Sequence, residues 1–196
     1  MLKSGFLVSC SKNKEGLSQK EIISTLSLLS YKPYIMNNAF DYELELQKIL
    51  ANLKKNHFDI INLKNTQSIY MVLCREDVLN IFYKINQKFK YTHKIIPLKR
   101  IHSFVDFNKL DYINLFGDFI DEINKLKNTT YKICYSHRNT NKEIKNSIIN
   151  YIADRVQLKV DLCNPDYLFI VEVIKNYIGC SIIENRNFNF NIENNQ

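Results

Sequence analysis

Asp161 and Asp166 flank the stretch Leu162–Pro165, and Glu172 follows along the apolar run behind it. Carboxylates placed in this way can divide the work of general acid and base or hold a hard cation through oxygen. The local sequence offers another use for them. Pro165 fixes its own φ and pushes Asn164 towards an extended shape. Asn and Asp side chains then bond free backbone groups in the turn. Leu168 to Val171 is apolar without alternation, as in a strand buried on both faces. A buried unpaired carboxylate is costly, so Glu172 should stand at the strand's end or meet a basic partner. A turn and strand is therefore preferred here to catalysis.

Other chemistries lack their residues. Cys10, Cys74, Cys134, Cys163 and Cys180 form no C-x-x-C pair, and His57, His93, His102 and His137 are scattered. This is not zinc spacing, and an odd number of cysteines does not suggest a disulfide framework. Gly5, Gly16, Gly117 and Gly179 are too far apart for G-x-G-x-x-G or a P-loop. A dinucleotide enzyme, a methyltransferase or a coenzyme A acetyltransferase is hard to build without such turns. No serine sits in a nucleophile elbow. The sequence implies no cofactor and no metal ion.

The elements that would position these residues fall into two runs. Gly5–Cys10 reads as a strand, and Ser18 to Glu21 fits a capping box ahead of a helix carrying Ile22, Ile23, Leu26 and Leu29. Pro33 ends that helix region, and Asp41 can cap a second helix with Leu46, Ile49, Leu50 and Leu53 on one face. Asp59–Leu63 and Ser68–Cys74 read as a hairpin. Asp77 can cap a helix carrying Val78, Ile81, Phe82, Ile85 and Phe89, and a strand over Lys94–Leu98 closes the unit at Pro97. Without the extra helix this is the ferredoxin-like order. The second run has a helix around Lys109–Lys127, with Leu110, Ile113, Phe116, Ile120 and Ile123 on one side. The strand Thr130–Tyr135 follows. A second capping box, Thr140 to Glu143, precedes a helix with Ile144, Ile148, Ile152 and Val156 in steps of four. Strands at Tyr167–Ile174 and Ile178–Ile183 surround a Lys175-Asn176 turn. The domains expected are 1–98, 99–186 and a frayed tail at 187–196.

The chain has 196 residues, 45% of them hydrophobic, which suits a packed core and argues against disorder. No apolar run is long enough for a bilayer and no signal peptide is evident, so an intracellular protein without membrane association is expected. The net charge is +7 and the pI about 9.0, which favours a polyanionic partner such as nucleic acid. The first 89 residues hold 12 basic and 8 acidic side chains and the remainder 15 and 12, so the excess is spread without a basic tail.

The strand TYKICY, the helix opening SHRNTNKE and the block KVDLCNPDYLFIVEVIKNYIGCSII together resemble the second half of a THUMP domain. Upstream, HKIIPLKRIHSF and the helix after it look like the domain's start. The resemblance implies an α+β fold in which an N-terminal ferredoxin-like unit packs on a THUMP domain of order α-α-β-α-β-β. THUMP domains occur in thiouridine synthases, RNA methylases and pseudouridine synthases, each fused to a catalytic domain. The arrangement here is similar to that of the stand-alone tRNA acetylation adaptors of eukaryotes. That likeness implies a non-catalytic protein, not itself an enzyme. It would bring serine and leucine tRNAs, held by the acceptor-stem 3′ end, to an RNA cytidine acetyltransferase that forms N4-acetylcytidine in the D arm. It also implies a nuclear or nucleolar location. His102 and Ser103 stand where adaptor sequences often show Thr-Cys.

The RNA face implied by the resemblance includes Lys99 and Arg100 after Pro97, Arg138 and Asn139 before the capped helix, and Lys159 and Asn164 of the KVDL-x-NPD block. Lys142 and Lys145 add charge where the helix presents free amides. Arg and Lys meet phosphates, and Arg also stacks on unpaired bases. Two other readings stay open. One is an RNA-modifying enzyme whose active site uses Asp161, Asp166 or Glu172; the other is a protein-interaction scaffold that binds no RNA.

Overall fold

A computed structural model of the chain describes residues 3–30, 58–106, 111–138 and 144–187. The helix expected from Asp41, the helix stop at Pro33, the Thr140 capping box and the tail from 188 lie outside the described residues. By contact the described residues form two compact units, one from Phe6–Ile95 and the other from Met1–Gly5 with Ile96–Phe190. Both mix helices with a sheet, so the chain is an α+β protein as expected.

The first unit runs β1 (Lys3–Cys10), α1 (Glu15–Ser30), β2 (Phe58–Asn62), β3 (Ile69–Cys74), α2 (Val78–Phe82) and the start of β4 (Thr92–Ser103). Its strands lie in the order β2-β3-β1-β4, the split βαβ arrangement. The β2–β3 hairpin pairs Phe58 with Cys74 and Asn62 with Tyr70. Asn65 and Ser68 turn the chain with φ of 57° and 62°. Phe6, Val8, Ile22, Leu26, Val72 and Ile95 build the core beneath α1.

Local sequence misplaced three boundaries here. Ser18 is not the cap of α1, which starts at Glu15. Ser18 is fully buried inside the helix, and its hydroxyl meets Tyr70 Oη and Thr92 Oγ1, both at 2.7 Å. Glu21 does not reach back along its own helix either. Its carboxylate accepts from the backbone N–H groups of Lys90, Tyr91 and Thr92 at 2.5, 3.2 and 3.2 Å, and from Thr92 Oγ1 at 3.0 Å. These distant partners outcompete a local capping box. Asp77 does cap α2, accepting from Leu79 N and Asn80 N, but α2 ends at Phe82, and Phe89 reaches the core from beyond it. Lastly, β4 does not stop at Pro97 but continues to Ser103.

The second unit takes the rest of β4, then α3 (Tyr112–Asn124), β5 (Thr130–Arg138), α4 (Ile144–Ala153), β6 (Lys159–Val160), β7 (Tyr167–Ile174) and β8 (Tyr177–Glu184). A 3-10 turn, Asn185–Asn187, follows. The strand order is β4-β8-β7-β5-β6. β8 runs antiparallel to both β4 and β7, while β5 runs parallel to β7 and β6. Ile144, Ile148, Ile152 and Val156 are all buried, as their spacing requires. They meet Phe169, Val171 and Val173 of β7 and Leu115, Phe116, Phe119, Ile120 and Ile123 of the α3 region in one core. Ile113, expected on the buried stripe, is instead 72% exposed, because α3 turns Leu115 and Phe119 inward. Gly179 sits opposite Ile101 and Glu172. A Cβ there would come within 2.5 Å of Leu98 Cδ1, so any side chain at this position must push the buried Leu98 side chain aside.

Candidate nucleic-acid interface

The strand register of the second unit gathers several polar side chains at one end. Arg138, Ile174, Tyr177 and Ser103 are successive cross-strand partners, and so are His137, Val173, Ile178 and His102. The β7–β8 turn closes this end through Lys175, whose φ of 53° allows the reversal and whose N–H donates to Arg138 O at 3.1 Å. The adjacent Asn176 O accepts from Phe104 N at 2.8 Å. The end of β4, the end of β5 and the hairpin turn are thus tied together by backbone bonds.

Both helices begin at this same end, since α3 follows β4 and α4 follows β5. Helix N-termini carry partial positive charge and free N–H groups. Asp111 serves α3 as its cap, with Oδ1 accepting from Asn114 N at 3.1 Å. Lys145 is exposed in the first turn of α4, and Arg138 and His102 are exposed at the strand ends. Cations and imidazoles thus lie beside the start of α4, where phosphate is favoured, while the start of α3 is taken by the Asp111 carboxylate.

The expected RNA face does not come together as a single patch. Arg138 and Lys145 share the end just described, whereas Asn139 and Lys142 lie outside the described residues. Lys159 pairs with Thr130 at the opposite end of β5. At about 3.3 Å per residue that places it about 26 Å along the strand from Arg138. The helices end near Lys159 rather than begin there. Asn124 bridges their C-terminal ends, donating to Arg155 O at 2.9 Å and accepting from Gln157 N at 2.8 Å. Lys125 and Arg155 therefore complement helix C-termini, the less favourable end for an anion. Arg155 also stacks over the Tyr151 ring at 3.9 Å. Asn164 is exposed at the Lys159 end, its N–H donating to Asp161.

Lys99 and Arg100 belong to neither end. Lys99 Nζ lies 3.0 Å from Glu122 Oε2, and Arg100 reaches Asp118 Oδ2 at 2.5 Å. Arg100 also donates to Asn114 O and Leu115 O at 2.6 and 3.2 Å. Both cations lie over the Phe119 ring. They clamp β4 to α3.

The three acids are in use as well. Asp161 Oδ1 accepts from Cys163 N and Asn164 N at 2.8 and 2.9 Å. These amides, Asn164 first, hold its carboxyl below the usual carboxylate range. Asp166 Oδ2 accepts from Thr130 N and Thr130 Oγ1 at 2.8 and 2.9 Å, fastening the turn to the start of β5. Glu172 is buried within β7, opposite Ser136 and Gly179. No group of metal-ligating side chains occurs among the described residues. Sequence reading missed His137, Lys175 and Tyr177 as neighbours of Arg138; only the register across four strands reveals them. Beneath His137, burial pushes the Tyr135 hydroxyl up to about 12, with nearby Tyr112 adding to the effect.

Residues 114–182 match the family model described as the THUMP domain. This segment is THUMP-like. The match runs from the first turn of α3 to Ile182, two residues before the end of β8, and leaves the first unit outside it. No curated protein matches the chain. Among solved structures, PH1313 from Pyrococcus horikoshii Ot3 aligns with a TM-score of 0.52 at 12% identity, over 92% of this chain and 55% of its own. TrmN from Thermus thermophilus aligns with a TM-score of 0.51 at 9% identity, over 97% of this chain and 48% of its own. A 4-thiouridine synthetase in complex with RNA and ATP aligns at 0.45 and 14% identity, over 93% of this chain and 42% of its own. The chain thus spans about half the length of the structures it resembles. The expectation of a protein that is not an enzyme is withdrawn, because the chain covers only about half of each structure it resembles.

Proposed function

We propose that the protein is the tRNA-engaging part of an RNA-modification system. On this reading the THUMP-like unit holds RNA at the end bearing Arg138, Lys145 and Lys175. The observation that carries the reading is the convergence of those cations with the start of α4, in a segment that matches the THUMP model. His102, His137 and Tyr177 lie beside them and offer the flat rings on which unpaired bases stack. Lys99 and Arg100 are assigned to the fold, and Lys159 and Asn164 to the far end of the unit.

A single-stranded acceptor 3′ end suits such a surface, because its bases are free to stack and its phosphates can meet the start of α4. The resemblance of the sequence to the tRNA acetylation adaptors supports a finer proposal. The modification served would be N4-acetylcytidine in serine and leucine tRNAs, with an RNA cytidine acetyltransferase as partner.

Photocrosslinking of tRNA to the protein, followed by peptide mapping, tests the site. Crosslinks within β5's last residues, the β7–β8 turn and the start of α4 are expected. Crosslinks confined to the first unit, or to the turn around Asn164, would overturn the assignment. Addition of an RNA cytidine acetyltransferase tests the finer proposal. Acetylation of serine tRNA that rises when this protein is added is expected, and acetylation unaffected by it would remove that partner.

A further inference from the structure

Among the described residues, the outer edge of β5 is unpaired over most of its length. β6 pairs only with Thr130 and Tyr131, and no described strand pairs with Ile133–Arg138 on that side. The alternation of backbone direction along β5 follows from two bonds. Tyr131 O accepts from Asp161 N on the β6 side, whereas Arg138 O accepts from Lys175 N on the β7 side. Successive residues of a strand direct their backbone groups to opposite neighbours when bonded in parallel ladders. Ile133, Tyr135 and His137 therefore present their N–H and C=O groups outward.

Natural sheets blunt such an edge with charged side chains, proline, a bulge, a very short strand or a covering loop, and of these β5 carries only basic side chains. This edge has no proline, and it carries no acid anywhere in TYKICYSHR. Its side chains alternate in character. Tyr131, Ile133 and Tyr135 lie against the helix-side core. Lys132, whose Nζ donates to Leu162 O at 2.9 Å, and Arg138 fall on the other face, as the period of two requires. The Tyr135 hydroxyl is buried and has no hydrogen-bond partner among the described residues.

We propose that the β5 edge is a docking site for an extended, acidic segment of a partner protein, which adds to the sheet as a strand. Backbone bonds to Ile133, Tyr135 and His137 supply affinity, and alternate side chains supply selection. On one face apolar residues continue the row of Ile133 and Tyr135. On the other, carboxylates meet Lys132 and Arg138. Charge argues against a second copy of this chain, because antiparallel pairing centred on Tyr135 sets Lys132 against Arg138.

Amide exchange of the full chain, followed by NMR with a short end-capped peptide of alternating valine and glutamate, tests this. At saturating peptide the amides of Ile133, Tyr135 and His137 should exchange at least about 10-fold more slowly. Those of Lys132, Cys134 and Ser136, directed towards β7, should not change. N-methylation of alternate peptide residues on the bonding edge should abolish the slowing, whereas N-methylation of the others should not. The proposal is overturned by unchanged exchange at the three amides or by equal protection from a valine–lysine peptide. Protection of those amides by single-stranded RNA but not by the acidic peptide would likewise overturn it and make the edge part of the RNA surface. Arg138 is shared with the proposed RNA surface, but the peptide experiment uses no RNA, so its failure and failure of the tRNA reading are told apart.

Discussion

Replacing Arg138 with alanine separates the two ends of the THUMP-like unit. Arg138 is the exposed last residue of β5, and no side-chain bond or ion pair holds it among the described residues. The substitution should leave stability within about 0.5 kcal/mol of the original, as for other surface positions. Its effect on RNA should be larger. Loss of one charge-assisted contact costs about 1.5–3 kcal/mol, or roughly 10- to 100-fold in affinity at low salt. Loss of one phosphate contact to a single strand should also flatten the salt dependence, lowering the log–log slope by about 0.7. Across a fourfold rise in salt, the variant should therefore weaken about 2.5-fold less than the original protein. Fluorescence anisotropy with labelled tRNA at several salt concentrations reads both quantities. Lys159→Ala, about 26 Å away along the strand, is the matched control and should change neither by a comparable amount. Unchanged affinity and slope for Arg138→Ala would refute the placement, and so would a Lys159→Ala effect of equal size.

Three further outcomes follow from the geometry. Gly179→Ala should lower stability by about 1–3 kcal/mol, since its methyl group must displace the Leu98 side chain; denaturant titration measures this, and a neutral result would mean that β8 relaxes away. Asp166→Ala should cost about 1–2 kcal/mol by removing the acceptor of Thr130 N and Oγ1; tRNA affinity should stay the same, and loss of function in a still-folded variant would reopen a chemical role for the acids. Asp161 has a depressed folded-state pKa because of the Asn164 and Cys163 amides. Its contribution to the turn is therefore complete above the ordinary aspartate range and is lost as pH falls through the folded value. The amide shifts of Cys163 and Asn164 should titrate there together, and Asp161→Asn should abolish that titration.

Much of this architecture was legible because the signals were local. The steps of four in Ile144, Ile148, Ile152 and Val156 announce α4's buried stripe, and the hairpins around residues 64–67 and 175–176 are marked by polar breaks between apolar strands. What failed was non-local. Ser18 and Glu21 satisfy a capping pattern, yet their partners are Tyr70 and the segment Lys90–Thr92, far along the chain. Lys99 and Arg100 read as a free basic pair because nothing nearby in sequence announces that Asp118 and Glu122 lie against them. The candidate site divides in the same way. Arg138 and Lys145 were visible as cations around a helix start, but Lys175, His102 and His137 join them only through strand register. The structural use of Asp161 followed from the Asn-Pro-Asp turn, whereas the bond from Asp166 to Thr130 crosses between strands.

The central claim is that the THUMP-like unit recognises the single-stranded end of a tRNA. The most direct measurement compares binding of the full chain to one intact tRNA and to the same tRNA lacking its 3′ single strand, at two salt concentrations. Base stacking contributes about 1–3 kcal/mol per base, so the intact tRNA should bind at least about 10-fold more tightly, and part of that difference should persist at the higher salt. Equal affinities with equal, steep salt dependence would contradict the claim and leave only a generic attraction between a basic protein and RNA.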